Sequence, residues 1–284
     1  MYSKAYVEIT NICNMRCSFC HGHSRIPRQM SREEFSRVLS SLEGKTEYVY
    51  YHLMGEPLCH PELPLFLRMA KERGFRSILT TNGTLLNKRR EELLASPIHK
   101  VSISLHSFEE GGEFAFWRYL TEVAGFAEAA SKQGVIVVLR MWNRGYDEGR
   151  NDRVLSFFRE RIEGEWTENS KGIRIHDKLH LEWGERFAWP DLQAPLGDER
   201  VCCYGLCDHF GILSDGRVVP CCLDSEGTLT LGNIFSEELS DILSGDRARA
   251  ISEGFQKGIA AEELCRRCGY ARRFLKKKGK KERK

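Results

Sequence analysis

The sequence predicts an α/β protein whose first two-thirds alternates strands with helices and whose last third is dense in cysteine. Short runs rich in β-branched and aromatic residues recur, nearly all apolar, as strands buried on both faces should be. Between them lie segments with apolar residues at helical spacing that end at or near a glycine. Seven of the eleven cysteines fall after residue 200.

The strand-like runs cover 5–9, 48–53, 76–79, 100–105, 135–141 and 173–181. Ser31 and Glu34 form a capping box that opens an amphipathic helix over 35–42. Further helices over 61–73, 113–132 and 152–162 are followed by Gly74, Gly134 and Gly164. Six β–α units in series point to parallel strands joined by right-handed crossovers. An open doubly wound sheet and a partial barrel share that pattern. The alternation stops where Pro190, Pro195 and Gly197 cluster, which marks a boundary. Beyond it come a hairpin over 210–220, turning at Asp215-Gly216, and helices over 236–243 and 247–255. Apolar residues are sparse there, so the segment needs a staple, and metal is the candidate. The expected domains are therefore 1–190 and 191–275, with a loose tail at 276–284.

The formal net charge is +3, yet residues 276–284 carry +6, which leaves −3 for the rest. A basic tail is compatible with nucleic acid or acidic partners. A solvated, frayed terminus is the plainer expectation, and no nucleic-acid partner is expected. No apolar run reaches the roughly 18–20 residues of a membrane span, and no export signal follows Met1. A cytoplasmic protein without membrane contact is expected. In a reducing compartment, clustered thiols point to metal before disulfides.

Cys13, Cys17 and Cys20 share one short loop directly after the first strand. A closed structural metal site takes four protein ligands, and no fourth cysteine is close in sequence. His21 and His23 would complete a zinc site. Alternatively the loop holds a four-iron cluster with one iron left open to a small molecule. In a β/α barrel this position lies at the C-terminal end of a strand, where active sites form.

The Cys-x-x-x-Cys-x-x-Cys spacing, with Phe19 before the last thiol, resembles the signature of the radical S-adenosylmethionine superfamily. The resemblance implies a partial (β/α)6 barrel and a [4Fe-4S] cluster held by Cys13, Cys17 and Cys20. It implies S-adenosylmethionine on the open iron and an external one-electron reductant of flavodoxin or ferredoxin type. The outcome is a 5′-deoxyadenosyl radical that takes hydrogen from the substrate, chemistry that belongs to the cofactor. By the same resemblance Phe19 lies near the adenine. Met54-Gly55-Glu56-Pro57 is similar to the family's Gly-Gly-Glu-Pro turn, which meets the methionyl amine; Met54 replaces its first glycine. Asn82, in Thr81-Asn82-Gly83-Thr84, ends the third strand as in many relatives and is a cofactor-binding candidate, and Ser104 matches a serine that commonly meets the ribose or the carboxylate. Arg140 suits bidentate pairing with a carboxylate. Each of the three is otherwise a satisfied polar group at the end of a strand.

Cys265 and Cys268 form a two-thiol chelate, and Cys221-Cys222 follow the hairpin turn. The spacing alone equally allows a zinc ribbon. The whole arrangement resembles the SPASM or twitch extension of radical enzymes through Cys203, Gly216, Cys221, Leu231-Gly232-Asn233, Cys265 and Cys268. It implies one auxiliary [4Fe-4S] cluster on Cys203, Cys221, Cys265 and Cys268. Cys202 and Cys207 compete for the first place and Cys222 for the second, while Cys59 is expected to be a packed thiol.

The resemblance implies oxidation, crosslinking or epimerisation of a peptide or protein side chain. Dehydrogenation of a small metabolite such as an aminosugar is the second expectation. A zinc protein binding nucleic acid through its tail is the third. No leader-binding domain precedes the first strand, so leader recognition is expected from a partner protein or the barrel mouth. His176, Asp177, His180 and Glu182 are candidate acid/base groups or else surface residues; none is assigned a catalytic role.

Overall fold

The computed structural model describes residues 1–109 and 112–273. In chain order the elements are β1 (Lys4–Val7), α1 (Arg32–Leu42), β2 (Tyr48–Tyr50), α2 (Leu63–Glu72), β3 (Arg76–Thr81), α3 (Arg90–Leu94) and β4 (Ile98–Ser104). There follow α4 (Gly112–Lys132), β5 (Ile136–Arg144), α5 (Arg150–Arg161), β6 (Thr167–Asn169), β7 (Gly172–His176) and β8 (Leu179–Glu185). The last third holds β9 (His209–Ile212), β10 (Arg217–Val219), β11 (Gly232–Asn233), α6 (Leu239–Ser244), α7 (Asp246–Gln256) and α8 (Glu263–Arg266). The basic tail at 276–284 lies outside the described residues.

The chain divides into two compact units. Met1–Ile12, His21–Gly55 and Phe187–Lys284 form one; Cys13–Cys20 and Glu56–Arg186 form the other. Spatially, then, the first strand and helix group with the cysteine-rich last third.

In the Glu56–Arg186 unit, β3, β4, β5 and β8 form a parallel ladder. One sequence expectation needs correction here: the single strand over 173–181 is two strands. β7 and β8 pair antiparallel across a turn at Asp177-Lys178, and only β8 joins the parallel ladder beside β5. The turn residues are short of apolar bulk but stand between two apolar runs, so the reversal reads as one long strand. α3 was not anticipated, because five residues are too few to show a helical period.

Alternation assigns the two faces of this ladder. Val101, Ile103, Val137, Leu139, Met141, Leu179 and Leu181 are at most 1% exposed, and α4 packs along β5 and β8. The opposite face carries polar groups. Ser104 stands opposite Arg140, and Arg140 opposite Glu182, so three strands contribute one row near their C-terminal ends.

In the other unit, β1 pairs parallel with both β2 and β9. β9, β10 and β11 run antiparallel, and the expected hairpin turns at Asp215-Gly216. Gly216 is required there: its φ is +85° and a Cβ would lie 2.4 Å from the Phe235 ring. The capping box forms as expected, with Ser31 accepting from Glu34 N–H and Glu34 accepting from Ser31 N–H. α1 then buries Phe35, Val38, Leu39 and Leu42.

Among the described residues three carboxylates sit inside the protein: Glu8, Glu56 and Asp224, the last accepting from Thr228 and Leu229 N–H. Glu8, just past β1, is 0% exposed. It accepts two bonds from Arg25 at 2.7 and 2.6 Å, two from Ser214 at 3.1 and 2.9 Å, and one from Met54 N–H at 3.2 Å. Glu56 is 2% exposed; it accepts Leu58 N–H at 3.1 Å and Asn82 N–H at 2.7 Å. Burial pushes its pKa up to about 7, against the lowering effect of those donors.

Removing Glu8 strands a buried guanidinium, so Glu8→Ala should cost about 3–5 kcal/mol in urea denaturation of the metal-free protein. A loss under about 1 kcal/mol would mean that water replaces the pair. Glu56 holds its proton longer in the native state than in the unfolded chain. Wild-type stability from this group therefore falls as pH rises from the usual carboxyl range toward about 7. A Glu56→Gln variant should match wild type at pH 5 and gain on it by pH 8; an unchanging difference across that range contradicts the argument.

Candidate active site

The loop from Cys13 to Cys20 leaves Cys13 and Cys20 exposed and Cys17 half-buried. Local structure is tight: Cys20 N–H donates to Cys17 O at 3.1 Å, and Cys17 Sγ lies 3.5 Å from Ser107 O. Burial raises the Cys13 thiol and pushes Cys17 up to about 11. Burial thus favours the neutral form of Cys13 and Cys17, and a bound metal would draw them to thiolate.

Two clamps from distant sequence hold this loop. Glu109 accepts Ser18 N–H at 2.5 Å and Ser18 Oγ–H at 2.7 Å. Asn82 Nδ2 donates to Asn14 Oδ1 at 3.0 Å and points at Cys13 Sγ at 4.0 Å. Its Oδ1 accepts from Thr84 N–H and Oγ1–H, and Thr84 in turn accepts from Asn14. The backbone of Asn82 is held from behind by Glu56 and by Tyr119, whose hydroxyl donates to Asn82 O at 2.8 Å.

Phe19 packs on His106, ring centres 4.7 Å apart, with the Arg186 guanidinium 5.6 Å from its centroid. His106 Nδ1 lies 3.1 Å from Arg140 O and 3.3 Å from Trp142 N. Burial lowers the His106 pKa to about 4, so the ring is neutral at physiological pH. A pocket of about 230 Å³ opens beside it, lined among others by Glu109, Asn143, Tyr146, Arg150 and Arg186. Ser104 and Arg140 are half-buried in the same row of the ladder. The Arg140 guanidinium stacks 3.9 Å from the Trp142 ring centre.

Gly55 has φ +75°, and a Cβ there would sit 2.4 Å from Thr10 O and 2.9 Å from Asn11 Cα. Only glycine lets the Met54-Gly55 backbone approach the strand end so closely. Pro57 opens the short turn Pro57–Cys59 that Glu56 caps. Cys59 is half-buried with its Sγ 3.9 Å from Asn14 Oδ1, so it packs beside the three-thiol loop.

The second thiol set comes together as well. Cys203, Cys221, Cys265 and Cys268 line one cavity with Pro190, Pro220, Leu229, Phe255 and Leu264. Burial raises all four thiols, Cys203 to about 11, and neighbouring sulfurs raise Cys203, Cys221 and Cys265 further. Their neighbours are turned elsewhere. Cys222 bonds Tyr6 and packs on Leu53, Leu213 and Val219, and exposed Cys207 faces Ser252 Oγ at 4.0 Å. Cys202 is half-buried outside that lining.

The donor chemistry fits iron–sulfur clusters in both places: three soft thiols in one loop, and four around one dry cavity. The histidines of the zinc alternative have other partners: His21 stacks on Trp189, and His23 Nε2 lies 2.9 Å from Asn11 O. Among the described residues, no three or more His, Cys, Asp or Glu are grouped to hold a single ion. No helix is long and apolar enough to cross a membrane.

Glu8, Glu109, Tyr119, Asn14 and Thr84 were not singled out by sequence reasoning. Apart from the local Asn82–Thr84 turn, their partners lie 17 to 206 positions away, and no spacing rule reaches that far.

Residues 7–163 match the model of the radical SAM superfamily, and 202–269 match that of the iron-sulfur cluster-binding SPASM domain. A GTP 3′,8-cyclase of Chlorobaculum tepidum is 30% identical over 107 residues, which span 36% of this chain and 32% of that relative. The crystal structure of BtrN in complex with AdoMet and 2-DOIA is similar at TM-score 0.62 and 19% identity, covering 94% of this chain and 93% of that one. Streptococcus suis SuiB bound to the precursor peptide SuiA gives TM-score 0.62 at 17% identity, covering 95% and 70%. The fold is therefore the barrel-like α/β fold of these proteins with a C-terminal iron–sulfur domain. With over half its length matched by one family model, the chain belongs to the radical SAM superfamily, as an enzyme that uses iron–sulfur clusters and S-adenosylmethionine.

Proposed function

We propose that the chain modifies a peptide or protein side chain by hydrogen abstraction, with Cys13, Cys17 and Cys20 holding the reactive cluster. When bound, the cluster and S-adenosylmethionine supply reductive cleavage and a carbon-centred radical. The observation that carries the reading is the three-thiol loop, tied by Asn82 to the end of β3, in the ladder whose neighbouring strands carry Ser104 and Arg140.

Each residue then has a positional task. Gly55 lets the backbone come close, and Glu56 spends both oxygens on holding the Asn82 turn and the Pro57 turn. Arg140 and Ser104 orient the methionyl carboxylate, and Phe19 lies beside the adenine. Cys203, Cys221, Cys265 and Cys268 hold one auxiliary cluster that staples a region short of apolar core. The reducing electron comes from a flavodoxin or ferredoxin type donor.

The peptide reading draws support from the likeness to SuiB with its precursor peptide. A small-metabolite substrate is the second reading, favoured by the span of the match to BtrN, which covers nearly all of that chain. Of the four acid/base candidates, the side chain of Asp177 is 90% exposed and pairs with Arg174, and His176 faces Ser131 of α4. His180 and Glu182 are the two on the polar face.

Anaerobic reconstitution should give a brown protein with about eight irons, two four-iron clusters, that releases 5′-deoxyadenosine under reduction. Cys13→Ala should lose that release and about half the iron; retained release would end the reading. Cys265→Ala should lose the other half of the iron and much thermal stability. If it kept full iron content, the auxiliary ligand set would be wrong. Incubation with candidate precursor peptides, read by mass spectrometry, separates the two substrate classes: a mass change in a peptide supports the first.

A further inference from the structure

Arg140 does not reach out from the strand alone. We propose that Trp142 and Gly184 form a platform that fixes the Arg140 guanidinium for the cosubstrate carboxylate, which makes them positioning residues for S-adenosylmethionine binding. The inference rests on the reading of Arg140 as the carboxylate partner.

Arg140 and Trp142 are two apart on β5, so both side chains leave on the same face of the ladder. The guanidinium carbon lies 3.9 Å from the centre of the indole, in stacking contact. The indole is seated in turn on β8. A Cβ at Gly184 would come within 2.6 Å of Trp142 Cδ1 and Cγ and 3.0 Å of Cδ2. Gly184 has no left-handed φ, so backbone conformation does not demand glycine there. The demand is for room, and the ring takes that room.

The backbone of the same stretch is pinned too. His106 Nδ1 meets Arg140 O and Trp142 N, while the other contact of that ring is Phe19 of the cysteine loop. Arg140 is thus held at its main chain by His106 and at its head by Trp142. A long, flexible side chain loses rotamer freedom when it binds, and stacking takes that loss before the ligand arrives. Stacking also engages the face of the guanidinium, whereas a carboxylate is met at its edge.

The test measures equilibrium affinity for S-adenosylmethionine on the reconstituted holoenzyme, with iron content and far-UV circular dichroism as controls. Trp142→Ala and Gly184→Ala should each weaken binding about tenfold, while Trp142→Phe, which keeps a ring face, should recover most of it. Maximal 5′-deoxyadenosine release at saturating cosubstrate should hold, so that the change falls on KM and not on kcat. In an Arg140→Gln background, Trp142→Ala should add nothing, because its effect runs through Arg140. If Gly184→Ala disturbs iron loading, the two Trp142 variants decide. Should Arg140→Gln bind poorly while both alanine variants bind like wild type, the platform is refuted and the carboxylate reading stands. Should Arg140→Gln itself bind like wild type, the carboxylate reading falls and the platform has no role.

Discussion

The buried carboxylate of Glu8 is the constraint on which the rest of its unit hangs. It gathers Arg25, which follows the cysteine loop, Met54, which opens the Gly55-Glu56-Pro57 turn, and Ser214, at the end of β9. These lie 17, 46 and 206 positions from Glu8 in sequence. A charge this deep persists only when every lone pair is used, and five donors use them. Around it the neck of the loop is stitched shut: Thr10 bridges Gln29, and Asn11 bonds Ile26 O and Arg28 N–H. Segment 24–25 is also tied to Ser225 and Glu226, just past Cys221-Cys222. A hydrophobic plug would fill the same space but would fix none of these directions.

What the sequence made legible was local. Cysteine spacing, the Ser31–Glu34 box, the Asp215-Gly216 turn and apolar runs all act within a few residues, so a single stretch displays them. The choice of Cys221 over Cys222 was not legible, since adjacent thiols have equivalent spacing. Tertiary placement separates them: one enters a cavity with three other sulfurs, the other turns to Tyr6. The turn at Asp177-Lys178 was missed because a two-residue reversal without glycine or proline leaves the β pattern on both sides intact. The clamp of Ser18 by Glu109 was out of reach because 91 positions separate the partners.

The two thiol sets differ in environment, and the difference is chemical. Cys13 and Cys20 are exposed, and Cys13 and Cys17 line one pocket with polar or charged neighbours such as Asn14, Thr84, Ser107 and Glu109. A metal held there would keep a face toward solvent and room for an added ligand. Cys203, Cys221, Cys265 and Cys268 are enclosed by prolines, leucines and Phe255, with burial the first cause of their raised pKa values. Four neutral thiols in an apolar cavity hold little together by themselves. Loaded with iron they would become thiolates bound to cations, and the cavity would become a core for α7 and α8, which line it through Phe255 and Leu264.

Parallel strands explain why polar groups gather where they do. Within the ladder, residues in register share a layer and a face, so Ser104, Arg140 and Glu182 stand side by side although 36 and 42 positions separate neighbours. The opposite face of the same strands packs against helices and is mainly apolar, with Val101, Ile103, Val137, Leu139, Leu179 and Leu181 buried on it. A half-buried row with a guanidinium and a carboxylate is a poor element of a core, since each charge forfeits hydration. The packing of Trp142 against Gly184 shows that the row is organised before any ligand arrives: ring, guanidinium and strand are already in contact. In the reading proposed above, preorganised charge at strand ends, beside the Cys13–Cys20 loop, is how a register of hydrogen bonds becomes a place for chemistry.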